Sequence, residues 1–515
     1  MKTKILLSIC FAISVSLFTG CNNTPKEGRN YYVDAENGND VNNGISAQKA
    51  WKSLDKLKDI ELKAGDSILF RRGSVFTGTI EINAQGRSDC RIVIDAYGTG
   101  ENPCIKAPDG SLYTVSITNS DYVTLQNIEI VNTGMERMPR RTGVLVVCDE
   151  YGVSHNIILN ALNIHDVNGS FVKRQGGGSA ILIENRWKEI VSVFDSLTIE
   201  NCVIRRCERN AMIWNAPWSR SNWHLSTNTV VRKNLIEEVP GDGIVPIGCD
   251  GALVEYNLMR NCPATLPDSE AAAGFWPWSC DNTVIQFNEV SDHKAPWDAQ
   301  GFDSDYNCTN TTIQYNYSHD NEGGFLLICN SGRTPAEQSI GNVGTTAQYN
   351  ISINDAVRTH PTPRGIFSPV IHIGGPCENT RVNNNILHMN AKPEADIKVD
   401  RRIIVSNSWD GFANNTYFKE NVFYTTEQSE FDLTESTNNN FDGNYYLGAF
   451  KGKPVDKNGK YQSDVYKELL EKDPTGFNSL APLLEKVEIG NGAAYITAVN
   501  KKAIEDFFSK MSTNK

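Results

Sequence analysis

The chain has 515 residues, 40% of them hydrophobic and 21% charged, with a formal net charge of −12. An acidic balance of this size disfavours nucleic acid and gives no general basic surface for other polyanions, while leaving a local basic cleft open. The length suggests two or more domains unless the chain is one long repeat array.

Residues 1–20 read as a targeting segment: Lys2 and Lys4 precede an apolar run, Ile5 to Leu17, that is too short to span a bilayer as a helix. The run ends Leu17-Phe18-Thr19-Gly20-Cys21 and resembles a bacterial lipobox, with Phe18 where Leu is usual. That resemblance implies lipidation at Cys21, a Gram-negative envelope location in the outer membrane, and membrane contact only through the lipid. Loss of residues 1–20 removes two lysines and no acid, so the formal charge moves from −12 to −14. Cys10 and Cys21 account for two of the thirteen cysteines; the odd remainder, without short paired spacings, does not read as a disulfide framework or a zinc site.

After a linker at 21–30, residues 31–110 are expected to form an amino-terminal cap and the first coils of a solenoid. Trp51, Leu54, Leu57 and Ile60 fit one face of a short helix that plugs the end. Over 111–450 a short strand-like motif centred on Asn recurs at Asn127, Asn163, Asn201, Asn234, Asn257, Asn288, Asn316, Asn350, Asn385, Asn421 and Asn444. Asn tolerates a left-handed turn and can hydrogen-bond along a stack of its own kind, so eleven rungs predict an all-β solenoid of about eleven coils. Residues 451–515 change in composition and read as a small helical cap, with helices at 464–472 and 501–511 preceded by Ser463 and Asn500.

The array, together with YYVDAENGNDVNNG, AGDSILFRRGSVFTGTIEI and IVIDAYGTGENPCI near the amino terminus, resembles the right-handed parallel β-helix of the pectin-lyase-like superfamily over about residues 30–450. The resemblance implies a carbohydrate-active enzyme acting on a polysaccharide or oligosaccharide.

A second element precedes each Asn rung. Aligned on its Gly or Ala, it stacks Ile244, Phe275, Phe302 and Phe325 in one core column. Alternation then turns Asp303 and Asp305 outward, with Trp276 and Trp278 one coil earlier and Leu326 and Ile328 one coil later. Two outward acids at i and i+2 are about 6.5–7 Å apart, nearer the spacing of inverting than of retaining glycosidases. Asp303 and Asp305 are therefore the candidate acid/base pair, with Glu322 or Asp298 as a third carboxylate. Trp276, Trp278, Trp297, His293, His319, Asp242 and Arg333 are candidates for substrate binding. The polygalacturonase motifs NTD, GDD, GHG and RIK are absent.

Three functions lead: a glycoside hydrolase without cofactor; a polysaccharide lyase with Ca²⁺ on Asp303 and Asp305; and a glycan-binding lipoprotein without chemistry. An epimerase acting on polymer uronates ranks behind them. The lyase needs a basic residue, and the strand columns near Asp303 offer none, which leaves Lys294 or Arg333 to reach in from loops.

Overall fold

The computed structural model describes residues 28–513 apart from 360, 362–364, 391–399, 434–435, 472 and 474, so the targeting segment and Cys21 lie outside the described residues. The repeat folds into a parallel β-helix. One face is a 13-stranded sheet running from Val75–Thr77 to Tyr445–Leu447, two strands more than the asparagine rungs. A second is a 17-stranded sheet. The third is divided into two six-stranded sheets, Ile80–Ile82 to Ile244–Val245 and Gln300–Ser304 to Phe450–Lys451. Single bridges through Phe275 join them, to Ile244 on one side and Phe302 on the other.

The asparagine ladder sets the coil register. From Asn234 to Asn444 eight side chains are fully buried, each Nδ2 donating to the Oδ1 of the next at 2.9–3.0 Å. The first accepts from the Cys202 amide and the last donates to Asp456. A buried carboxamide left unpaired costs about 1–3 kcal/mol, so each coil must return to the same place whatever its loop length.

Three of the eleven expected rungs are not in this ladder. Their coils fill the ladder position with Ile128, Leu162 and Cys202, all buried, and Asn127, Asn163 and Asn201 sit one residue to either side. The left-handed residue of the turn is also not the ladder Asn but the one before it: Tyr256, Phe287, Tyr315 and Tyr349 have φ of 54–56°. Asn127 and Asn201 occupy that position themselves. The four aromatic rings stack at 5.0–5.4 Å on the outside of the turn.

At the amino end Leu54–Asp59 is a 3₁₀ turn, with Trp51 and Leu54 buried on the first coils. The carboxy-terminal helices α1 (Asp464–Leu470) and α2 (Lys501–Thr513) are capped by Ser463, accepting from the Tyr466 amide, and Asn500, accepting from the Ala503 amide. Their segment also runs back along the flank. Tyr466, Phe507, Phe508 and Met511 pack with Tyr315, Ile351, Ile386 and Val422, while Ile489 and Ile496 of an antiparallel hairpin reach Val203 and Leu258. Among the described residues the eleven cysteines are all unpaired thiols, ten of them buried, and no helix is long and apolar enough to cross a membrane.

Asn316→Ala removes the acceptor of both the Asn288 amide and its Nδ2, and is expected to destabilise by about 3 kcal/mol. Asn127→Ala, outside the ladder, is expected to cost about 1 kcal/mol, the strain of Ala in a left-handed turn. Paired denaturant-unfolding midpoints check the contrast.

Candidate active site

The site lies where the third face is interrupted. On that face strands β1 (Thr142–Asp149), β2 (Ser179–Arg186) and β3 (Asn210–Asn215) precede the gap, and β4 (Gln300–Ser304), β5 (Gly324–Cys329) and β6 (Ile371–Gly374) follow it. Met212, Ile244, Phe275, Phe302, Leu326 and Ile371 form one fully buried column by backbone pairing. The residues one further along face outward: Ile213, Trp276, Asp303, Leu327 and His372. Leu326 and Ile328 are therefore core residues, and the outward neighbours of the aspartates on the next coil are Leu327 and Cys329. Matching Gly301-Phe302 to Gly324-Phe325 misses this slip. Gly324, at φ 120°, pairs with Gln300, so Phe325 still enters the core beside Phe302 while every outward side chain moves by one.

A cavity of about 470 Å³ opens on these columns. Asp298, Asp303, Asp305, Trp276 and Trp278 line it, with Lys173, Arg140, Tyr306, Leu327, Cys329 and Trp409. A larger hollow of about 580 Å³ around Asp400, Arg401 and Arg402 shares none of these residues and holds an Arg402–Asp400 ion pair at 2.7 Å.

Asp303 is 4% exposed and its Oδ1 has no hydrogen-bond partner. Asp305 accepts from the Tyr306 amide at 2.6 Å and from the Cys329 thiol at 3.2 Å. One oxygen of Asp303 and one of Asp305 lie within 4.8 Å of each other, closer than the spacing strand geometry alone suggests. Burial, then the Asp305 and Asp298 charges, push Asp303 well above the usual carboxylate range; burial raises Asp305 too, against the donors from Tyr306 and Cys329. Burial and the Asp305 charge raise Asp298 to about 6.

Asp298 comes from the corner. Trp297–Asp298 pairs with Ala271–Ala272, and Asp298 and Ala299 are both left-handed, at φ 60° and 65°. Two such residues in a row are strained by about 1–2 kcal/mol each. Arg358, fully buried, holds the corner by donating to the carbonyls of Ala295 at 2.7 Å, Pro296 at 3.0 Å and Asp298 at 2.8 Å. Lys173 stands over the Trp276 ring at 4.9 Å and 3.8 Å from Asp242. The ring is fixed by its indole N–H donating to Asp242 at 3.2 Å, and Trp278 stacks on Trp218 at 5.7 Å.

The remaining candidates are elsewhere. Asp242 lies beneath Trp276, paired with Arg209 and fully buried, so it positions the indole and does not face the cavity. Burial opposes its ionisation, but Lys173 and Arg209 hold it below the usual range. His293 is buried, bonded to the Gly241 carbonyl at 2.9 Å, and burial lowers it to about 4, so it is a neutral pin. His319 lies on the 13-stranded sheet against Phe477. Burial pulls it down, but hydrogen bonds to Asp320 and Glu289 carry it up to about 9. Glu322 is buried away from the cavity lining, and its charge acts on Arg358. Arg333 is exposed and pairs with Asp410 at 2.7 Å, next to Trp409. Trp297 donates to the Asp268 carbonyl and lines an adjoining hollow of about 220 Å³ that shares Asp298 and Trp409 with the cavity.

Sequence reasoning missed Lys173 and Arg140, so basic groups do reach the cavity, from the loops before β2 and β1 rather than from Lys294 or Arg333. Gly176-Gly177-Gly178, three residues after Lys173, was the available signal. Glu184 on β2, which binds Arg140 and Asn215 at 2.7 Å each, was legible from alternation. The donors nearest Asp303 and Asp305 include a thiol, which does not fit calcium, an ion that takes six to eight oxygens.

No family model matches the chain. It is 28% identical to lacto-N-biosidase of Bifidobacterium longum subsp. longum over 92% of its length, and it spans about a third of that relative, 34%. A crystal structure of GH136 lacto-N-biosidase from Eubacterium ramulus superposes with a TM-score of 0.59 at 24% identity, over 76% of this chain and 68% of that one. A mannuronic acid specific polysaccharide family 6 lyase from human gut microbiota gives 0.51 at 12% identity, over 95% of this chain and 100% of that one. These structures establish the fold, and a hydrolase and a lyase share it.

Asp298 also makes a stability prediction. Its native pKa of about 6 lies above the ordinary aspartate value of 3.8, so the folded state binds the proton more tightly, and stability is lost as pH rises from 3.8 through about 6. Asp298→Asn is therefore expected to unfold at a higher temperature than the parent at about pH 8, with the gap closing at about pH 4. Thermal unfolding at both pH values checks the sign.

Proposed function

We propose that the chain is a glycoside hydrolase acting, without a cofactor, on a neutral oligosaccharide or polysaccharide bound in the cavity beside Asp298, Asp303 and Asp305. The observation that carries this reading is three carboxyl groups, all held toward the protonated form, in one aromatic-walled cavity. The likeness to lacto-N-biosidases supports it and puts the oligosaccharides such enzymes act on first in any panel.

Environment separates the roles. Asp298, titrating near 6, is the group that protonates the glycosidic oxygen and later takes a proton from water. Asp305, with an N–H and an S–H donor favouring its ionised form, attacks the anomeric carbon. Asp303, the most desolvated, stays protonated and keeps a second negative charge away from Asp305. Trp276 and Trp278 offer faces for sugar stacking. A lyase is disfavoured because its uronate substrate would meet three acids, and of the two cations Arg140 is already bound to Glu184. A purely binding role leaves the strained Asp298 corner without purpose.

We further propose that Cys21 tethers the enzyme to the envelope, on the strength of Leu17–Cys21. Labelled palmitate is expected to be incorporated by the full chain and not by Cys21→Ala.

The activity test incubates residues 22–515 with the panel and follows new reducing ends and unsaturated-uronate absorbance together. Reducing ends without absorbance are expected. Asp298→Asn is expected to lower kcat/KM by about 10³-fold, and Asp305→Asn at least as much. The parent's kcat/KM is expected to fall as pH rises through about 6, where Asp298 loses its proton. Absorbance at the product end would overturn the hydrolase in favour of elimination.

A further inference from the structure

We propose that Asp303, Asp305 and Cys329 form a binding site for a borderline-soft divalent cation of the zinc and cadmium class, and that the bound metal switches the cavity's chemistry off. The inhibitory half rests on the hydrolase reading above; the binding half does not.

One oxygen from each aspartate and the Cys329 sulfur lie within 4.8 Å of one another. Ligand bonds of about 2.0–2.3 Å place the donors of a tetrahedral ion slightly closer than this, within reach of small side-chain rotations. The strands fix the arrangement. Asp303 and Asp305 share the outward face at the end of β4, and Cys329 ends β5 on the next coil, with its thiol already directed at Asp305 at 3.2 Å.

A second observation is independent of that spacing. Asp303 is 4% exposed, lines the cavity and carries a buried oxygen with no partner. Such an oxygen is costly unless a proton or a cation satisfies it. The donor set selects the ion: one sulfur with two carboxylate oxygens suits zinc or cadmium and disfavours calcium and magnesium. All three donor residues line the cavity, so a fourth ligand would come from water there. On binding, the thiol proton and any carboxyl proton pass to solvent, with no change of oxidation state. The metal then ties up the Asp305 carboxylate that the hydrolase reading needs free.

The test titrates the folded protein with Cd²⁺ alone and follows thiolate-to-cadmium ultraviolet absorbance, with Zn²⁺ and Ca²⁺ as competitors. One equivalent is expected to bind with the absorbance, to be displaced by Zn²⁺ and to resist Ca²⁺. Cys329→Ser is expected to abolish the absorbance, whereas Cys90→Ser, at a partly exposed thiol outside the site, keeps it. Asp303→Asn is expected to keep the absorbance and weaken affinity by at least about 10-fold, and it decides the matter should Cys329→Ser fail to fold. No absorbance, absorbance that survives in Cys329→Ser, equal displacement by Ca²⁺, or unchanged affinity in Asp303→Asn overturns the site. If no glycan is cleaved, the absorbance still decides binding, and the hydrolase reading alone fails.

Discussion

A buried carboxamide must find partners, and eight of them in line leave the chain one way to do so. Each ladder asparagine takes its donors and acceptors from the coil before and the coil after. The register of every turn between Asn234 and Asn444 is thereby fixed, and insertions are confined to the other corners. The consequence for function is geometric. Outward positions on successive coils lie in rows, so a polar group placed in one row meets the side chains that its neighbours place there.

The candidate site depends on that alignment. Asp303 has Trp276 on one side and Leu327 on the other, and these neighbours, with the walls around them, remove the water that would hold it ionised. Asp305 is treated differently because a backbone N–H and a thiol reach it. Asp298 joins them from a strained corner held by Arg358, a residue sixty positions later in the chain. Rigid strands thus set two carboxyls and a clamped loop the third, an arrangement that separates their proton affinities.

The parallel strands, the outward aspartates and the tryptophans beside them were legible because period-two alternation and a recurring Asn act locally. The helices at the carboxy end were legible from Ser463 and Asn500 for the same reason. What escaped depends on tertiary register or distance. The slip at Gly324 exchanged Leu326 and Ile328 for Leu327 and Cys329, since a Gly-Phe pair looks alike whether or not its glycine is left-handed. His293 and His319 carry the residue type of a catalytic base, but burial neutralises one and a carboxylate pair charges the other. Lys173, Arg140 and Arg358 arrive from loops whose course no local pattern encodes, and Asn163 fits the motif while its coil places Leu162 in the core.

The most direct measurement is the titration of the three carboxyl carbons, by carbon-13 NMR of aspartate-labelled protein, with each signal assigned by single Asp→Asn substitution. The account predicts Asp298 titrating near 6 and Asp303 well above the ordinary carboxylate range, coupled to Asp305, which is raised as well. Three independent titrations near the ordinary value of about 3.9 would mean that the cavity is wet and its carboxyls equivalent, which contradicts the account.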